Sequence, residues 1–149
     1  MQLFAPVNGR LCPPTSHPSA IIRHGFAGQG ITLTVTGNEI FAPCDATIIQ
    51  SSAAGHYWLL QTPQGDSVTL LLGQVEQLHP ACQRRESTRN VEHIAQGELL
   101  ARVNTSVLRS LPAAAQCLAI YCDNPHWQWQ NISRIRVGEK VAQFEDGVV

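Results

Sequence analysis

His56 opens the stretch His56-Tyr57-Trp58-Leu59-Leu60-Gln61-Thr62-Pro63-Gln64-Gly65-Asp66-Ser67-Val68-Thr69-Leu70-Leu71-Leu72-Gly73-Gln74. An imidazole is the side chain best suited to move protons or accept a transferred group near neutral pH. Whether it can do so depends on what stands opposite it. Two apolar runs, Tyr57–Thr62 and Ser67–Leu72, flank a turn in which Pro63 pre-sets φ and Gly65 takes the position other residues resist. In an antiparallel hairpin, opposed residue numbers have a constant sum. If Thr62 faces Asp66, that sum is about 128, give or take one. His56 then faces a residue within Leu71–Gly73, with cross-strand β-carbons roughly 5 Å apart. The partner strand there is Leu70-Leu71-Leu72, which offers no second histidine, acid or thiol.

The other reactive groups are scattered. Six histidines are dispersed without H-x-H, and Cys12, Cys44, Cys82, Cys117 and Cys122 show no C-x-x-C spacing. An odd number of cysteines and no signal-peptide pattern in Met1–Gly9 lead us to expect free thiols in a reducing cytoplasm. The cations are nine arginines and Lys140, the formal net charge is −1, and no basic block is present. That balance gives no footing for nucleic acid or an anionic membrane surface. No apolar run approaches the length of a membrane span, so the chain is not expected to be membrane-embedded.

The elements that must position His56 read as strands. With 149 residues, 44% hydrophobic and 14% charged, the chain suits a compact, single-domain fold. Short apolar runs alternate with Gly, Pro, Asn and Asp: residues 31–35, 39–42, 47–51, 57–62, 67–72, 99–103, 117–122, 133–137 and 141–144. Such spacing predicts an all-β, antiparallel sandwich or barrel. One or two short helices are expected, over Thr105–Leu111 before Pro112, and from an Asn124 N-cap with Pro125 at the first helical position through Trp127. Two internal echoes stand out: Leu3-Phe4-Ala5-Pro6-Val7-Asn8-Gly9 with Ile40-Phe41-Ala42-Pro43-Cys44-Asp45-Ala46, and residues 95–103 with 136–144. A supersecondary unit used more than once explains both.

The stretches APVNG (5–9), GQGITLTVTGNEIFAPCDATI (28–48), the glycine-bounded hairpin, IAQGELLARVN (94–104) and RVGEKVAQF resemble the glucose-type enzyme IIA family of the bacterial phosphoenolpyruvate-dependent sugar phosphotransferase system. The likeness runs from Leu3 to about Phe144. It implies a small antiparallel β-sandwich or barrel with short helices, and a soluble protein that exchanges phosphate with the phosphocarrier HPr and a membrane sugar permease domain. In that family two histidines on adjacent hairpin strands do the chemistry. One accepts phosphate through its neutral Nε2; the other donates a hydrogen bond to the incoming phosphate, helped by a threonine. Ungapped alignment between the hairpin glycines keeps His56 as the supporting histidine and puts Leu71 at the acceptor position. The helping threonine falls at Ala54 and an acidic position at Val75.

The apolar face used for docking corresponds to Ile21, Ile22, Phe26, Leu59 and Thr69. The resemblance therefore implies an enzyme IIA-like protein without the usual acceptor. Such a protein would act by binding HPr, a permease IIB/IIC component or a metabolic enzyme. The alternative is a phosphocarrier using His56, His79 or His24. Residues 83–90, QRRESTRN, replace a family segment and read as a solvated loop. A zinc peptidase of related fold would need H-x-H. A biotinyl or lipoyl carrier would need a hairpin-tip lysine with flanking methionines, which Lys140 lacks. Neither a metal nor a cofactor is called for.

Overall fold

The computed structural model describes residues 2–25, 28–75, 78–85, 93–130 and 133–144. Strands β1 (Gln2–Phe4) and β2 (Gly9–Cys12) lead through a 3-10 turn at Pro14–Ser16 to helix α1 (Ala20–Arg23). Then come β3 (Gln29–Val35), β4 (Glu39–Phe41), β5 (Ala46–Ser51), β6 (Tyr57–Gln61) and β7 (Ser67–Leu72). The chain continues through β8 (Cys82–Arg84), β9 (His93–Ile94), β10 (Leu99–Val103) and helix α2 (Thr105–Ser110). A second 3-10 turn at Ala113–Gln116 precedes β11 (Cys117–Cys122), β12 (Trp127–Trp129), β13 (Arg134–Ile135) and β14 (Lys140–Phe144).

The strands form one eight-stranded sheet, β13-β2-β3-β11-β7-β6-β5-β9, and two three-stranded sheets, β1-β14-β12 and β4-β10-β8. Of the expected sandwich or barrel, the sandwich is what forms; among the described residues no sheet closes on itself. The large sheet turns Leu33, Val35, Trp58, Leu60, Val68, Leu70, Leu72, Leu118 and Ile120 into the core. There they meet Leu3, Val141 and Ala142 from one small sheet and Ile40, Ala101 and Val103 from the other. Alternation along β7 follows directly: Val68, Leu70 and Leu72 point inward, while Thr69 and Leu71 point to the opposite face.

The internal echoes are a structural duplication. Phe4 N–H donates to the Pro43 carbonyl at 2.9 Å, and Phe41 N–H donates to the Pro6 carbonyl at 2.8 Å. Each half repeats the other's bonds. Ala5 and Ala42 N–H donate to Glu139 and Glu98 carbonyls at 2.7 and 2.8 Å, and Gly138 and Gly97 N–H return to Ala5 and Ala42 at 3.2 and 3.0 Å. The side chains agree: Asn8 Oδ1 accepts from Val137 N–H and Asp45 Oδ1 from Gln96 N–H, both at 2.8 Å. The duplicated sequence thus clasps itself about a pseudo-two-fold, which fixes the small sheets against the large one.

Two sequence expectations change. Asn124-Pro125 starts no helix; Asn124 Oδ1 accepts from His126 N–H at 3.0 Å, closing a turn that leads straight into β12. The Asn-Pro pair serves turns as well as helix starts, and here the strand partner β14 claims Trp127. Helix α2 does form, capped by the Asn104 side chain accepting from Val107 N–H at 3.1 Å. Helix α1 and the strands β8, β9 and β12 were not among the predicted elements; most are too short to show a period.

Gly97 and Gly138 have φ of +86° and +84°, with open space where a Cβ would sit. Gly97→Ala and Gly138→Ala should therefore each lower stability by about 1–2 kcal/mol through left-handed backbone strain alone. The two urea midpoints should fall equally; a loss at one site only would contradict equivalent roles in the two halves.

Candidate functional site

The hairpin register decides which side chains meet. Gln61 lies opposite Ser67 and Tyr57 opposite Leu71, a constant sum of 128. Thr62 N–H donates to the Asp66 carbonyl at 2.9 Å, Gly65 N–H to the Thr62 carbonyl at 2.9 Å, and Gly65 has φ +93°. The turn chemistry read from Pro63-Gln64-Gly65 is thus the turn that forms. His56 falls opposite Leu72, whose N–H donates to the His56 carbonyl at 2.8 Å. That lies within the expected range. The residue facing Leu71 is Tyr57.

Leu71 sits in an apolar row. It is paired with Tyr57 on β6 and Ala119 on β11, and Ala119 is paired in turn with Thr32 on β3. Ile22 from α1 covers this row, so Leu71 is only 2% exposed among Ile22, Ala119, Tyr121 and Tyr57. The next row is Leu59, Thr69 and Tyr121, with Leu59 and Thr69 half-buried. Tyr121 Oη and Thr32 Oγ1 are 3.2 Å apart and hydrogen-bonded. Of the five expected docking residues, Ile21 is 56% exposed, Leu59 and Thr69 are partly reachable, and Ile22 is buried beneath them. Phe26 lies outside the described residues, as do positions 86–90 of the expected loop.

His56 is buried, and both ring nitrogens are engaged. Nε2 lies 2.9 Å from the Gln74 carbonyl oxygen, and Nδ1 lies 2.9 Å from Ser52 Oγ. A carbonyl can only accept, so Nε2 carries the proton and Ser52 donates to Nδ1. Ser52 Oγ also accepts the N–H groups of His56 and Tyr57, each at 3.1 Å. Gly55 at φ +80° makes this knot possible, since a Cβ there would meet the Arg84 Cα at 2.9 Å.

Two further buried histidines repeat the pattern. His79 places Nε2 2.8 Å from the Ala115 carbonyl and accepts Ala81 N–H at Nδ1. His17, which the sequence reading passed over, places Nε2 3.0 Å from the carbonyl of Leu71 itself and accepts Ser19 N–H at Nδ1. All three are neutral Nε2–H tautomers with the proton spent on backbone. The His56 and His79 rings lie 6.2 Å apart between centroids. His24 is exposed at the C-terminal cap of α1. Ala54 is half-buried and Val75 is 41% exposed; neither side chain can contact a phosphate through a polar atom.

Burial holds the His56 pKa below its ordinary value; the Gln74 carbonyl opposes this and nearby His79 reinforces it. Burial also lowers His17, with the Leu71 carbonyl opposing and Arg23 reinforcing. A histidine depressed in the folded state stabilises above its unfolded pKa, and loses that contribution as pH falls toward the folded value. The urea midpoint should therefore fall between about pH 7 and pH 5. His56→Gln should flatten part of that fall; an unchanged slope would contradict a buried neutral His56.

Comparison with known proteins bears on the family and the fold. Residues 1–125 match the family described as phosphoenolpyruvate-dependent sugar phosphotransferase system, EIIA 1. A glucose-specific EIIA component of Borreliella burgdorferi is 27% identical over 112 residues, covering 73% of this chain and 58% of that protein. A mannose-specific EIIBCA component of Corynebacterium glutamicum is 32% identical over 73 residues, or 49% of this chain. This match spans only 11% of that relative's length. The solved glucose permease IIA from Mycoplasma capricolum superposes with a TM-score of 0.77 at 17% identity, covering 95% of this chain and 94% of that one, a likeness of fold.

Proposed function

The chain belongs to the EIIA 1 family of the phosphoenolpyruvate-dependent sugar phosphotransferase system, and on that premise we propose that it works by binding, as a regulator that takes no phosphate. Its place is the cytoplasm, where its partners would be HPr, a sugar permease IIB/IIC component or a metabolic enzyme that reads the dephosphorylated form. The observation that carries this reading is the state of the imidazoles around the acceptor position. Phosphoryl transfer to histidine requires a neutral ring with a lone pair on the attacking nitrogen, in line with the phosphorus. Leu71 has no lone pair. His56, His79 and His17 each commit Nε2–H to a backbone carbonyl.

The docking face supports the same reading. Ile21 is 56% exposed, and Tyr57, Leu59 and Thr69 are half-buried, leaving apolar surface on which a partner can be held. A surface that binds without transferring the phosphoryl group would hold its partner as a permanently dephosphorylated enzyme IIA does.

Incubation with phosphoenolpyruvate, enzyme I and HPr, followed by mass spectrometry under conditions that preserve phosphohistidine, tests the proposal. The expected result is no phosphate, together with binding to HPr or a IIB domain that Ile21→Glu weakens. Stoichiometric phosphate on His24, His56 or His79 would establish a working phosphocarrier and overturn the proposal.

A further inference from the structure

We propose that Cys12 is a modification site that exchanges with a small anionic disulfide, whose carboxylates are received by the cross-strand pair Arg10 and Arg134. The site stands whether or not the chain accepts phosphate. Cys12 closes β2, and the register fixes what surrounds it. Arg10 lies opposite Arg134 on β13 and Thr34 on β3, and Cys12 lies opposite Thr32. Cys117 lies opposite Thr34 from the other side of β3. Directly opposed residues share a face of the sheet, and so do residues two apart. These side chains therefore all stand on the outer face of the large sheet, the face of Leu71.

The two thiols make an unequal pair. Their sulfurs are 3.8 Å apart and hydrogen-bonded, Cys12 partly exposed and Cys117 buried. The bond from Cys117 pulls the Cys12 thiol down to about 7; burial opposes it and Thr34 adds a weaker bond. The same sulfur–sulfur bond, with burial, pushes Cys117 up. Burial pushes Cys44 and Cys82 up to about 12 and Cys122 up to about 11. Disulfide exchange needs a thiolate, so near neutral pH Cys12 is the sulfur equipped to attack.

Two arginines placed directly opposite each other repel. Neither guanidinium meets a carboxylate among the described residues; Glu139, the acid that follows β13, turns Oε1 to Arg136 N–H at 3.3 Å. Both arginines are exposed, and Arg10 stands roughly 7 Å from Cys12 along the strand. A disulfide carrying carboxylates brings negative charge to the pair and its sulfur to Cys12. In the exchange, the Cys12 thiolate bonds to one sulfur of that disulfide. The old sulfur–sulfur bond breaks, and the other half leaves as a thiolate that takes a proton from water. Cys12 is oxidised and the departing half is reduced. Cys117 does not displace the adduct, because β3 lies between β2 and β11. Two strand spacings, roughly 9–10 Å, exceed the backbone span a disulfide bridges.

The test is incubation of the native protein with oxidised glutathione, an acid quench, and mass spectrometry of the intact chain and its peptides. One glutathionyl group on Cys12 is expected, at a rate that rises with pH through an inflection near 7. Cys117→Ala should move the inflection upward and slow the reaction at neutral pH about fivefold or more. Arg10→Gln combined with Arg134→Gln should slow oxidised glutathione about threefold or more at low salt, and leave a neutral hydroxyethyl disulfide unaffected. The wild-type pH profile and the arginine variant decide the matter even if Cys117→Ala does not fold. No adduct, a first adduct on another cysteine, a Cys12–Cys117 disulfide, or the inflection of an ordinary thiol would overturn the site. So would an arginine variant that slows neither disulfide, or both alike.

Discussion

A backbone carbonyl oxygen can accept a hydrogen bond but never donate one. Wherever an imidazole nitrogen meets such an oxygen, the proton is fixed on that nitrogen and its lone pair is withdrawn from chemistry. His17, His56 and His79 each meet a carbonyl at Nε2 and accept a hydrogen bond at Nδ1. Burial adds to the effect by disfavouring the charged form of His17 and His56. These three histidines are thus structural fasteners. His17 ties the segment before α1 to β7, and His79 ties the loop after β7 to the turn before β11.

The same region is closed by apolar contacts around Leu71. With a leucine at 71, the row Tyr57, Leu71 and Ala119 becomes an apolar surface that Ile22 can seal. A histidine in that place would need water or a polar neighbour for at least one nitrogen. Leu71 needs neither. The pseudo-two-fold clasp between Phe4–Pro43 and Phe41–Pro6 lies elsewhere and uses only backbone.

Much of this was legible in the sequence. The pairing sum came from Pro63-Gln64-Gly65 alone, since a turn of fixed length leaves the strands little freedom of register. Ser67–Leu72, Leu99–Val103 and Cys117–Cys122 form as read, because each apolar run is bracketed by turn formers. The echoes foretold the duplicated halves. What could not be read depends on contacts between distant segments. Nothing local in Ser16-His17-Pro18 says that its ring reaches the Leu71 carbonyl, or that Arg84 stacks on Trp58. Strands of two or three residues, such as β8 and β9, carry no period, and their partners define them. The register narrowed the expected range for His56 to Leu72; its ring is held by Ser52 and Gln74, and Leu71 faces Tyr57.

The central claim concerns where three protons reside. Long-range 1H–15N correlation spectra of the imidazole rings at neutral pH report each tautomer directly. The account predicts Nε2–H patterns for His17, His56 and His79, unchanged on adding phosphoenolpyruvate, enzyme I and HPr. An Nδ1–H tautomer at any of the three, or a phosphoramidate coupling at its Nε2, would contradict it.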